Sequence, residues 1–93
     1  MTRLADSTPI RVVIADDHAV VRRGLRQLLE AEGGFEVVAE AGTTDDARRY
    51  VRAHRPDVLV LDLNMPEGSS LRSLPAIREE APGTAIVVLT MQD

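Results

Sequence analysis

The sequence contains no cysteine, no tryptophan and no lysine; it has one phenylalanine and one tyrosine, and all eleven of its basic residues are arginine. Without cysteine, neither a disulfide nor a thiolate metal site can form, and a reducing cytoplasm is the compartment that suits such a chain. Two aromatic rings leave no stacking platform for single-stranded nucleic acid. Fifteen acids against eleven bases give a net charge of -4, so the segment has no basic footprint for direct nucleic-acid binding. No apolar run approaches the roughly 20 residues of a membrane helix, and the opening MTRLADSTP lacks the apolar core of a signal peptide. At 93 residues the chain makes one small domain, near the lower size at which one hydrophobic core suffices.

What is present alternates regularly. Residues 1–9 are polar and read as a flexible lead, with the domain occupying residues 10–93. RVVIADD is a β-branched run that stops at two acids. From His18 to Ala31, Val21, Leu25, Leu28 and Leu29 form one stripe of a helix, which Gly33-Gly34 ends. In FEVVAE, Phe35, Val37 and Ala39 alternate with Glu36, Val38 and Glu40, the pattern of a strand with one half-wet face. Thr43 or Thr44 caps a second helix, striped by Ala47, Val51 and His54 and closed before Pro56. VLVLD is a third strand, followed by a loop from Leu63 to Ser69. A third helix carries Leu71, Leu74, Ile77 and Ala81; because Pro75 is harmless only in a first turn, a late or irregular start is favoured. TAIVVLT is the fourth strand.

This β-α repeat implies an α/β fold: a doubly wound parallel sheet with right-handed crossovers and helices on both faces. Strands one, three and four are continuously apolar and should be covered on both faces; strand two, with Glu36 and Glu40, suits an edge. The order 2-1-3-4 follows, and it leaves AIVVL as a bare outer strand of a kind that natural sheets avoid. Edge pairing with a second copy of the chain is one way to cover it.

Ligands of such sheets bind at the carboxyl ends of the strands, beside the switch in strand order. Strand one ends in Asp16 and Asp17 and strand three in Asp62, so three acids should meet at that point. Clustered carboxylates repel unless a hard cation such as Mg²⁺ neutralises them, and a carboxylate beside Mg²⁺ can attack phosphorus. Thr90, at the end of strand four, can offer its hydroxyl to a phosphoryl oxygen. Each residue also has a plainer reading. Asp17 is as good an N-cap as a ligand, Asp62 can be a loop acid, and Thr90 is a good strand residue. His18 fills a loop, since no second His or Cys stands at ligand spacing, and His54 lines a helix face. Arg22, Arg23 and Arg26, like Arg48, Arg49, Arg52 and Arg55, read as solvated helix faces.

The stretches VVIADDHAVVRRGLRQLL, VLVLDLNMP and AIVVLT together resemble the receiver domain of bacterial two-component response regulators, of the NarL/FixJ type, over residues 10–93. The resemblance implies a flavodoxin-like fold in which Asp62 accepts a phosphoryl group from a histidine kinase. It implies Mg²⁺ held by Asp17, Asp62 and the backbone carbonyl of Asn64, with Asp16 acting through water, and Thr90 as the switch hydroxyl. It further implies a cytoplasmic protein that is no enzyme beyond Mg²⁺-dependent self-phosphorylation and dephosphorylation. A C-terminal helix-turn-helix output domain, and with it transcription control, would accompany the intact polypeptide.

The departures are specific. Ser70 stands where the family has glycine, with Gly68 earlier, and Met91 follows the switch threonine. The family's fourth helix, fifth strand with its phosphate-pairing lysine, and fifth helix have no counterpart, so the segment reads as an incomplete receiver domain. A receiver-like interaction module that takes no phosphate is therefore the alternative. A phosphohydrolase ranks lower, because Asn64 occupies the place of its second acid, and a flavodoxin-like small-molecule binder would need a glycine-rich phosphate loop after strand one, which the sequence lacks.

Overall fold

The computed structural model describes residues 8–65 and 70–89. Its elements are β1 (Ile10–Ala15), α1 (Ala19–Glu32), β2 (Phe35–Ala41), α2 (Thr44–His54), β3 (Val58–Asp62), a 3₁₀ turn (Ser70–Ser73), α3 (Leu74–Glu80) and β4 (Ala85–Leu89). All strand pairs are parallel and the order is β2-β1-β3-β4, as the alternating pattern implies.

The two-residue period of β1 divides the core. Val12 and Ile14 point, with Val37, towards Leu25 and Leu29 of α1. Val13 and Ala15 point the other way, with Leu59 and Leu61, into a cluster closed by Ala47 and Val51 of α2 and by Ile77 and Ala81 near α3. Helices thus cover both faces. The expected α1 stripe is narrower than the spacing suggests: Leu25 and Leu29 pack, but Leu28 is 67% exposed. Met65, read as part of a loop, is buried in the second cluster.

β2 departs from strict alternation. Val12 pairs with Val37 but Val13 pairs with Ala39, so Val38 is an extra residue that forms a bulge. Phe35 and Val37 pack on the α1 side, whereas Ala39 and Ala41 pack on the other. The slip also turns Glu40, paired with Ile14, towards α1.

β4 overturns the expectation that three strands are covered on both faces. Only Ile86 packs against a core cluster, and Val87 and Val88 are exposed. The third helix resolves the Pro75 question through the 3₁₀ turn, after which Pro75 sits in the first turn of α3, where its missing N–H has no partner to lose.

Gly33 and Gly34 both adopt positive φ (81° and 87°) where α1 ends, a conformation costly for other residues. Thr43 caps α2: its hydroxyl accepts from the Asp46 N–H at 3.1 Å, with Asp45 and Asp46 in the first turn and Arg52 and His54 in the last, all favourable to the helix dipole. Thr43→Ala should cost about 1 kcal/mol in a urea melt. An unchanged midpoint would show that the cap contributes nothing. At the far side of α2, Arg48 donates to Glu80 at 2.7 Å and ties α2 to α3, which holds the Glu80 carboxyl below its ordinary range.

Candidate functional site

β1 and β3 are neighbours, with Ala15 opposite Leu61, so the next residues along, Asp16 and Asp62, face each other at the carboxyl ends of the two central strands. Both are buried, at 0% exposure, while the Asp17 side chain beside them is 27% exposed. One ligand atom from each of Asp16, Asp17, His18 and Asp62 can be chosen so that all lie within 4.8 Å of one another. The three acids named from the sequence are therefore brought together.

Local hydrogen bonds set each carboxylate. The N–H of Asp16 donates to the Ala41 carbonyl at 2.9 Å, an extension of the β1–β2 ladder past the strand end. Oδ1 of Asp16 accepts the His18 N–H at 2.8 Å. Oδ1 of Asp62 accepts the Asn64 N–H at 3.0 Å, an Asx turn that orients the carboxylate as the chain leaves β3. Oδ2 of Asp16 is buried and has no hydrogen-bond partner among the described residues. A buried oxygen in that state is costly, and a bound cation removes the cost. Hard oxygen donors from three carboxylates suit Mg²⁺, which binds through a few carboxylates and retains water.

Two residues behave differently from their sequence reading. Asp17 does not cap α1: the N-cap residue is His18, with no side-chain cap bond. His18 is not loop filler, since its Nδ1 lies 3.0 Å from Oδ1 of both Asp16 and Asp17. The hydrogen bond with Asp16 and the charge of Asp17 raise the pKa of this exposed imidazole. Its place directly after the acid pair was the only signal available in sequence. Thr90 lies outside the described residues, as do Pro66, Gly68, Ser69 and Met91. The end of β4 nevertheless reaches the site, with Leu89 opposite Asp62 and the Leu63 N–H donating to the Leu89 carbonyl at 3.1 Å. A cleft lined by Arg52, Arg55, Asp57 and Glu80 opens at the opposite rim of the sheet, away from these acids.

The sequence profile of the response regulator receiver domain family matches residues 12–93. The chain is 44% identical over 90 residues to the nitrate/nitrite response regulator protein NarP of Escherichia coli, covering 97% of this chain and 42% of that protein. It is 49% identical over 85 residues to the oxygen regulatory protein NreC of Staphylococcus epidermidis, covering 90% and 39% respectively. It thus spans about two fifths of the length of these relatives. Among solved structures, the isolated REC domain of RcsB from Salmonella enterica serovar Typhimurium, obtained with the phosphomimetic BeF3-, superposes with a TM-score of 0.83 at 31% identity, covering 92% of this chain and 64% of that one.

Proposed function

This chain belongs to the response regulator receiver domain family, of the NarL/FixJ type, and on that premise we propose that Asp62 accepts a phosphoryl group from a histidine kinase with Mg²⁺. The observation that carries the proposal is the meeting of two fully buried carboxylates, Asp16 and Asp62, with Asp17 at the ends of adjacent strands. A structural acid has no reason to be held there at the expense of stability. The RcsB receiver domain that superposes on this chain was obtained in the presence of a phosphomimetic, which supports the same reading.

In the reaction, an Asp62 carboxylate oxygen attacks phosphorus as the phosphorus–nitrogen bond of a phosphohistidine breaks. The electron pair goes to the departing imidazole nitrogen, which takes up a proton, and an aspartyl phosphate remains. The Asn64 N–H holds the Asp62 carboxylate in one orientation. Asp17, Asp62 and the Asn64 carbonyl would hold Mg²⁺ directly, with Asp16 acting through water. When bound, the ion offsets the negative charge shared by the carboxylates and the phosphoryl group. Residues 10–93 would be the receiver unit of a cytoplasmic polypeptide whose helix-turn-helix output domain it controls. No helix among the described residues is long and apolar enough to cross a membrane.

The test is incubation of the chain with a small phosphodonor, with and without Mg²⁺, followed by borohydride reduction, which converts an aspartyl phosphate to homoserine. Homoserine at position 62, only with Mg²⁺, is the expected result. No label at all would favour the alternative of a receiver-like interaction module that takes no phosphate. Asp17→Asn should weaken Mg²⁺ binding at least about tenfold, the lower figure for losing even an outer-shell partner. Calorimetric titration checks it, and an unchanged affinity would remove Asp17 from the ligand set.

A further inference from the structure

The arginines of α1 divide sharply. Arg23 is exposed and Arg26 is 47% exposed, but Arg22 is 21% exposed and turned back towards the acid cluster. Its Nη1 donates to the backbone carbonyl of Asp16 at 2.6 Å. That carbonyl belongs to the peptide joining Asp16 to Asp17. Held at its oxygen by Arg22, and one peptide earlier at the Asp16 N–H by Ala41, the backbone has little freedom to rotate just where two successive carboxylates must reach one site. A solvated helix arginine has no need of such a contact.

The guanidinium is itself held in place. Its Nε lies 3.4 Å from Oε1 of Glu40, and Arg26 Nη1 grips Oε2 of the same carboxylate at 2.8 Å. Glu40 faces α1 only because the bulge at Val38 reverses the alternation of β2. On the far side, the turn after β2 lies close: a Cβ added to Gly42 would stand 3.4 Å from Arg22 Nη1. The chain of contacts therefore runs from the bulged edge strand through Glu40 and Arg22 to the peptide between the two acids.

We propose that Arg22 is a positioning residue for the acidic site, fixing the Asp16–Asp17 peptide so that both carboxylates point at a common cation. This rests on the Mg²⁺ reading of the site. It assigns the bulge and Glu40 a purpose, since without them the guanidinium would have no anionic anchor beside the turn.

Arg22→Met and Arg26→Met together provide the test, because both remove a cation and an ion pair to Glu40 from α1, and only the first removes the hydrogen bond to Asp16. Mg²⁺ dissociation constants come from calorimetric titration of the 93-residue chain, and metal-free stability from urea melts. Arg22→Met should raise the Mg²⁺ dissociation constant about tenfold, Arg22→Lys about threefold, and Arg26→Met less than about twofold, in line with outer-shell effects on metal sites. If Arg22→Met does not fold, the comparison of Arg22→Lys with Arg26→Met decides by the same order. Equal effects of the Arg22 and Arg26 variants, or lowered stability with unchanged Mg²⁺ affinity, would overturn the assignment while leaving the metal site in place. A wild-type chain that binds no Mg²⁺ would instead remove the metal reading and this inference with it.

Discussion

Asp62→Asn should abolish phosphoryl uptake and, measured without Mg²⁺, should make the fold more stable. The loss follows from chemistry: an amide oxygen has no charge to give to phosphorus, and removing a catalytic nucleophile costs on the order of 10⁶-fold in a serine hydrolase. The stability gain follows from the environment. Asp62 is fully buried, within 4.8 Å of ligand atoms on Asp16 and Asp17. Asparagine keeps the shape, and its carbonyl can still accept the Asn64 N–H, while the repulsion among the carboxylates falls. A gain of about 1–3 kcal/mol is the scale of a buried polar group relieved of an unfavourable setting. Urea melts at neutral pH read it as a higher midpoint with the slope unchanged. Saturating Mg²⁺ should narrow the difference, because the ion binds the native wild type and stabilises it by mass action. Labelling that persists at another residue with undiminished stoichiometry would defeat the chemical half, and a lower midpoint the physical half.

The second large effect lies in the core. Leu59, the second residue of β3, is fully buried, with Val13 of β1 on one side and Ile86 of β4 on the other, and packs in the cluster beneath α2 and α3. Leu59→Ala should cost about 3–5 kcal/mol through lost transfer energy and an incompletely filled cavity. For a chain of 93 residues the whole stability is of order 5–14 kcal/mol, so the variant should melt at a much lower urea concentration. Leu59→Met conserves volume and should cost less than about 1.5 kcal/mol. Val87→Ala, on the exposed outer strand, should change stability by less than about 0.5 kcal/mol. A Leu59→Ala loss no larger than that of Leu59→Met would mean that this face of the sheet is far looser than the packing of Leu59, Val51 and Ile77 requires.

The alternation of strand and helix was legible in the sequence, because apolar residues recur with period 2 or 3.6 wherever one face must be buried. So was the meeting of Asp16, Asp17 and Asp62: parallel topology places the carboxyl ends of β1 and β3 side by side whatever the loops do. The late start of α3 was legible too, since Pro75 permits little else. The bulge at Val38 was not, because FEVVAE satisfies strict alternation as written, and only the pairing with β1 shows that a residue is skipped. With the bulge went the direction of Glu40, and with Glu40 the environment of Arg22. A long flexible arginine on a helix looks the same in sequence whether it ends in water or on the Asp16 carbonyl, because its partner is chosen by distances across the fold. Asp17 and His18 show the same limit at closer range. Local preference favours Asp17 as the cap of α1, yet the structure has His18 at that position and draws both side chains into the acid cluster. The acid residues and their approximate place were thus written in the chain; the contacts that orient them arise only once β2, α1 and the ends of β1 and β3 are packed together.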